Sequence, residues 1–176
     1  MQRILNKTDL RIGFIGAGSI GSLFGGNLAD IKSENYSLEV ILFDKKNIIE
    51  VVNNVGLKVY KNQELRVITN LKAFKDEKFY NDIIQKDLSF KFDYLFLTTK
   101  TYDLKSVMIQ YKKLINVSKW LVILQNGIGN EDIVSQYCNK KKIIRAITTI
   151  GALINESGDV IHTGKGITKI GFPFRN

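Results

Sequence analysis

The chain has 176 residues, 44% hydrophobic and 10% aromatic, which suits one packed domain and excludes a disordered chain. Its formal net charge is +9, yet the lysines are scattered, and the densest run, Lys140–Lys142, reads as a solvated loop. Basic residues do not interleave with aromatics, which argues against a nucleic-acid surface. An anionic cofactor and an acidic substrate account for the positive field more economically.

A first strand is expected over 11–15, behind an N-terminal extension of residues 1–10. Gly16-Ala17-Gly18-Ser19-Ile20-Gly21 follows and opens a helix expected over 19–32. Strand, glycine turn and helix in this order form the G-x-G-x-x-G arrangement that holds a dinucleotide pyrophosphate. Gly16 would allow the tight turn, Gly18 the close approach of backbone to phosphate, and Gly21 the packing of helix on sheet. The helix would aim free N–H groups and its positive dipole end at the phosphates. A second strand over 38–43 ends at Asp44, where an acid that accepts from a ribose hydroxyl is expected.

A helix over 46–54 comes next, then short β-like pieces at 57–60 and 65–68 that read as a small excursion beside the sheet. Nearly continuous apolar runs at 93–98 and 119–124, with a further strand at 142–147, alternate with helices at 102–115 and 130–138. Strands covered on both faces look this way. After Gly151 a hairpin is expected, 152–155 with 160–163, and a last strand at 168–171. The whole reads as an α/β, Rossmann-type doubly wound, mainly parallel sheet with helices on both faces and a β-hairpin extension at the C-terminus.

Three strand ends are polar. Lys100, in Thr98-Thr99-Lys100-Thr101-Tyr102-Asp103, could reach a ribose or phosphate, or stand in water before a helix with Asp103 in its first turn. Asn126, in Gln125-Asn126-Gly127-Ile128-Gly129-Asn130-Glu131, offers a donor and an acceptor to a carboxamide or substrate oxygen. Its alternative is an ordinary Asn-Gly turn before a helix capped by Asn130. In Thr148-Thr149-Ile150-Gly151-Ala152 small residues would admit close backbone approach. His162, the single histidine, falls in an expected edge strand with no nucleophile elbow, so a structural role is expected. One cysteine and one histidine cannot form a zinc site. Cys138 is expected to be a small hydrophobe in the helix 130–138. The lone cysteine fits a reducing compartment, and neither a secretory core nor a membrane-length run is visible, so a soluble cytoplasmic protein is expected.

Taken in order, Gly16–Gly21 with Leu23-Phe24-Gly25-Gly26, Asn54-Val55-Gly56-Leu57, Thr99–Asp103, Gln125–Glu131, Thr148–Ala152 and the glycine-rich stretch 158–171 resemble the ketopantoate reductases (2-dehydropantoate 2-reductases) over about residues 11 to 171. The resemblance implies reduction of 2-dehydropantoate to (R)-pantoate, on the way to pantothenate and coenzyme A, with NADPH as hydride donor. By that resemblance Gly16 to Gly21, Lys100, Asn126 and Ala152 fall on cofactor-contacting positions, with Lys100 and Asn126 nearest the nicotinamide. The family's general-acid lysine and substrate-holding residues belong to a following helical domain. Residues 11–176 are therefore expected to be the dinucleotide-binding domain alone, with no catalytic residue of their own.

Lys45, beside Lys46, stands where the family pairs an arginine with the 2′-phosphate, whereas Asp44 suits a free 2′-hydroxyl. Two ammonium groups against one carboxylate favour NADP over NAD. A reductase of another 2-oxo acid and a non-catalytic NAD(P)-binding module are the alternative readings. An apolar face left for the helical domain would favour self-association, as a homodimer.

Overall fold

A computed structural model describes residues 8–44 and 46–174, with Lys46 and Asn47 by backbone alone. The order is β1 (Thr8–Ile15), α1 (Ser19–Ala29), β2 (Tyr36–Phe43), α2 (Lys46–Val55), β3 (Leu57–Lys61), β4 (Glu64–Ile68), β5 (Leu71–Phe74), α3 (Asp76–Phe79), β6 (Phe92–Leu97), α4 (Leu104–Gln110), α5 (Lys112–Asn116), β7 (Ser118–Leu124), α6 (Asn130–Val134), β8 (Ile143–Thr148), β9 (Gly151–Ile154), β10 (Val160–Gly164) and β11 (Thr168–Gly171). A π-helical turn, Tyr80–Ile84, continues α3, and a 3₁₀ turn, Thr101–Asp103, precedes α4. No helix among the described residues is long and apolar enough to cross a membrane.

The main sheet runs β11-β8-β7-β6-β1-β2-β5, parallel throughout except for β11, which pairs antiparallel with β8. Chain direction across the sheet reverses between β1 and β6, so the loops leaving these two strands flank a crevice at their carboxyl ends. Alternation of side chains sorts the core into two faces. Ile15, Ile41, Phe43, Leu95, Leu97, Leu121 and Ile123 meet α4 and α5 through Leu104, Val107, Met108, Leu114 and Ile115. Ile12, Phe14, Val40 and Leu42 point the other way, onto Leu23 of α1 and Val52 of α2. The expected doubly wound arrangement is thus present, with helices on both faces.

Several elements differ from the sequence reading. Residues 8–10, expected in the extension, belong to β1, where Thr8 to Leu10 pair with Tyr36 to Leu38 of β2. The 57–68 excursion and the C-terminal hairpin are one structure: β4-β3-β10-β9 form a second sheet, with β10 parallel to β3. The hairpin is therefore docked over α1, and β10, with a neighbour on each side, is no edge strand. On it His162 places Nε2 3.0 Å from the Gly164 carbonyl oxygen.

Helix α1 lies between the two sheets, and its adjacent glycines divide the work. A Cβ on Gly25 would meet Leu42 of the main sheet at 2.7 Å, and one on Gly26 would meet Leu57 of the second at 2.8 Å. Arg66 of β4 fixes the far end of the helix, its guanidinium donating to Asp30 and Asn27, each at 2.8 Å.

The helix expected over 102–115 is broken at Tyr111, whose backbone leaves helical geometry while its ring packs edge-on to Phe43. The helix expected over 130–138 ends at Val134. Beyond it Gln136 and Tyr137 donate to Ile133 and Val134, i→i+3 bonds that tighten the chain into a turn. Cys138 lies past this turn, half-buried against the core, and burial pushes its thiol pKa up.

Strand β5 escaped the sequence reading because it is short and lies at the sheet edge. Its exposed ladder is met by a side chain: Asn53 of α2 donates to the Ala73 carbonyl at 2.8 Å and accepts from the Ala73 N–H at 2.9 Å. One amide thus stands in for the missing neighbour strand. Asn53→Ala is expected to lower unfolding free energy by about 1–2 kcal/mol, read by urea denaturation, because it strands both groups.

Candidate functional site

The turn out of β1 is set by contacts to β6. Gly16 has φ of +99°, in the left-handed region, and its N–H donates to Phe43 at 2.9 Å. A Cβ there would strike Thr99. Thr98, at the end of β6, shares its hydroxyl proton between the carbonyls of Ile15 and Gly16, at 3.0 and 2.7 Å. Gly21 comes back against the same carbonyl, where an added Cβ would stand 2.1 Å from the Gly16 oxygen and 2.6 Å from Thr98 Oγ1. The constraint on Gly21 therefore comes both from the loop carbonyl and from the end of β6. Gly25 adds a second close approach of the helix to the sheet, at Leu42.

Gly18 is different. It caps α1 with extended backbone, φ −69° and ψ −172°, and a Cβ added to it meets nothing within 4 Å. Any side chain would project into open space in front of the helix. Ser22 closes the first turn, its N–H donating to Gly18 and its buried hydroxyl to Ala17, both at 2.8 Å. The N–H groups of Ser19, Ile20 and Gly21 precede any intrahelical acceptor and face the start of the helix.

The ends of β6 and β7 form the opposite wall. Gln125 is buried, its amide donating to the Thr99 carbonyl at 2.8 Å and to the Thr99 hydroxyl at 3.1 Å. The Asn126 carbonyl accepts from Thr101 at 3.1 Å and from Asn130 at 3.3 Å. Asn130 is buried inside α6, and Gly129 holds the cap position expected for it. Lys100 stands at the N-cap of the Thr101–Asp103 turn with an exposed side chain.

These walls enclose a cleft of about 390 Å³ lined by Gly16, Gly18, Ser19, Ile20, Asp44, Thr98, Lys100, Asn126 and Thr148, among others. A second cleft, about 460 Å³, shares Gly16, Asp44, Thr99 and Asp103 with it and continues past Lys75, Asp76, Val107 and Tyr111. Burial, reinforced by the Asp76 and Asp44 carboxylates, pushes the Tyr111 phenol pKa well up, so it stays a neutral donor on that wall.

The structure therefore brings Gly16, Gly18, Ser19, Ile20, Asp44, Lys100 and Asn126 to one crevice. Ala17 is buried in the core and shows the loop only its backbone. Ala152 sits on β9 opposite His162, partly buried against the core, and does not line the crevice. Lys45 lies outside the described residues. Thr98, Gln125 and Lys75 carried no role in the sequence reading. A threonine at the end of an apolar strand and a lysine after β5 become visible only once the sheet order is known.

Comparison with known proteins adds the following. Residues 12–173 match the family model described as Ketopantoate reductase PanE/ApbA. The chain is 33% identical over 162 residues to a 2-dehydropantoate 2-reductase of Pyrococcus abyssi, covering 92% of this chain and 47% of that one. A crystal structure of 2-dehydropantoate 2-reductase from Geobacter metallireducens superposes with a TM-score of 0.71 at 25% identity, covering 95% of this chain and 51% of that one. A ternary structure of D-mandelate dehydrogenase with NADH and anilino(oxo)acetate shares the fold, with a TM-score of 0.73 at 24% identity over 92% of this chain and 48% of that one. The chain thus spans about half the length of the relatives it matches.

The two central glycines are expected to behave oppositely. Gly21→Ala forces backbone apart and is expected to cost about 1–3 kcal/mol of stability. Gly18→Ala occupies free space in an allowed conformation and is expected to change stability by less than about 1 kcal/mol. Thermal and urea unfolding of the two variants check this.

Proposed function

The chain belongs to the ketopantoate reductase family, and from that premise we propose that it is the NADPH-binding half of a 2-dehydropantoate 2-reductase. On this reading residues 11–176 act as the dinucleotide-binding domain, and a helical domain holding substrate and the general-acid lysine occupies the half of the relatives' length that this chain does not span. The observation that carries the reading is the open space at Gly18. It lies before the free N–H groups of an 11-residue helix and in the same cleft as Lys100 and Asn126.

The residues present fit a nicotinamide dinucleotide. The Gly16–Gly21 loop and the first turn of α1 would hold the pyrophosphate, with backbone donors and the helix dipole opposing its charge. The second cleft, beyond Asp44, suits the adenosine end: Asp44 and Lys75 line it, and Lys75 adds an ammonium to those of Lys45 and Lys46 in the sequence. The cleft also carries the Asp76 and Asp103 carboxylates, so the choice of NADP over NAD rests on the family resemblance and on the Lys45-Lys46 pair next to Asp44 in the sequence. Lys100 and Asn126 would receive the nicotinamide end, Asn126 by its side-chain amide, because its carbonyl is already committed to Thr101 and Asn130. When bound, the reduced nicotinamide supplies a hydride to the C2 carbonyl carbon of the substrate. The share of this chain is to orient that ring, with Lys100 and Asn126 at the nicotinamide end, and to form one wall of a site that excludes water.

Binding of NADPH and NADH to the chain, followed by fluorescence titration, tests the reading. NADPH is expected to bind several-fold more tightly than NADH, and the reverse order overturns the cofactor assignment. Gly18→Ala is expected to abolish binding of both while the protein still unfolds cooperatively. Retained affinity in that variant would remove the pyrophosphate site from Gly18. For the whole protein, NADPH oxidation is expected with 2-dehydropantoate in preference to 2-oxoisovalerate or benzoylformate.

A further inference from the structure

Arg145 lies on β8, in register with Ile123 of β7 on one side and Gly171 of β11 on the other. Its guanidinium runs to the carboxyl end of the sheet and is almost wholly enclosed, with 11% of the side chain exposed. There it makes four polar contacts. One terminal nitrogen donates to the carbonyls of Ile123 at 3.0 Å and Ala146 at 3.1 Å, and the other donates to Gly127 at 2.6 Å. Nε lies 3.4 Å from Glu131 Oε2, a buried carboxylate oxygen that has no hydrogen-bond partner and so depends on this ion pair.

One planar cation therefore ties together the last residues of β7, the turn after it and the first turn of α6. Asn126 sits between those anchors. Its own carbonyl is held from the other side by Thr101 and Asn130, so consecutive carbonyls, 126 and 127, are pinned in different directions. Gly127, with φ of +106°, permits that reversal. The sequence of the segment gives it little rigidity: Gly127 and Gly129 both have positive φ, and Ile128 between them is fully exposed. Fixing such backbone costs on the order of 1 kcal/mol per residue, which falls on ligand binding unless the loop is already ordered. A lysine could not serve, because a single ammonium lacks the fork that reaches three carbonyls and a carboxylate together.

We propose that Arg145 is a positioning residue that pre-organises the Asn126 loop for the nicotinamide end of the cofactor. The inference rests on the cofactor reading above. In a comparison of Arg145→Met and Arg145→Lys with the unmutated chain, two ligands separate the effects: NADPH, and 2′-phospho-ADP-ribose, which lacks the nicotinamide and its ribose. Both substitutions are expected to weaken NADPH by about tenfold, the value of one well-placed hydrogen bond, with lysine the milder of the two. Affinity for 2′-phospho-ADP-ribose is expected to stay unchanged, which also reports that the variants are folded. Equal losses for both ligands, or no loss for either, overturn the proposal. If the unmutated chain binds neither ligand, the cofactor reading itself fails.

Discussion

The Thr98 hydroxyl shares its proton between the carbonyls of Ile15 and Gly16, residues more than 80 positions earlier, and the contact fixes where the first loop can run. With the Gly16 carbonyl held there, Gly21 must come within a distance of it that excludes any side chain. Helix α1 then has only one direction in which to leave the sheet, and its first N–H groups open onto the crevice between β1 and β6. Gly18 faces that crevice with nothing before it. The same reversal of strand order that makes the crevice makes the Thr98 contact, so site and scaffold are a single arrangement.

From the direction of α1 follows the rest of that side of the molecule. The helix is buried on opposite flanks, by Phe14 and Leu42 of the main sheet and by Leu57, Val59 and Ile68 of the second. Two glycines in succession, Gly25 and Gly26, let both sheets approach the helix backbone. Helix propensity is sacrificed for this, since each glycine costs about 1 kcal/mol relative to alanine. Burial of apolar side chains from two sheets offsets it. The second sheet closes only because β10 returns beside β3, carrying the C-terminal hairpin over the helix.

The opposite wall is built from short polar loops, each locked by buried groups. Gln125 locks onto Thr99, Asn130 and Thr101 onto the Asn126 carbonyl, and Arg145 onto Gly127. These contacts commit the Gln125 amide nitrogen, the Asn126 carbonyl and the Arg145 guanidinium to the protein, while the Lys100 and Asn126 side chains are exposed in the cleft. The division is chemical: most buried polar groups are paired within the protein, so the side chains left for a ligand are those that water can reach.

Much of this was legible locally. A glycine pattern after an apolar strand, buried strands as continuous apolar runs, and polar residues at their ends are short-range signals, and they located the loop, most of the sheet, Lys100 and Asn126. Element ends were less legible. Tyr111 breaks a helical run because its ring has a place beside Phe43, and Val134 ends a helix through the tightened turn after it; neither cause is written in the residues nearby. What the sequence by itself determined is the fold class and the identity of the cleft-lining loops, because backbone conformation and alternation depend on neighbours in the chain. The tertiary structure alone decided that Gly21 is pressed between the Gly16 carbonyl and Thr98, that the excursion and hairpin form one sheet, and that Arg145 reaches Gly127. Each of these depends on contacts between residues distant in sequence, set by the order in which the strands lie side by side.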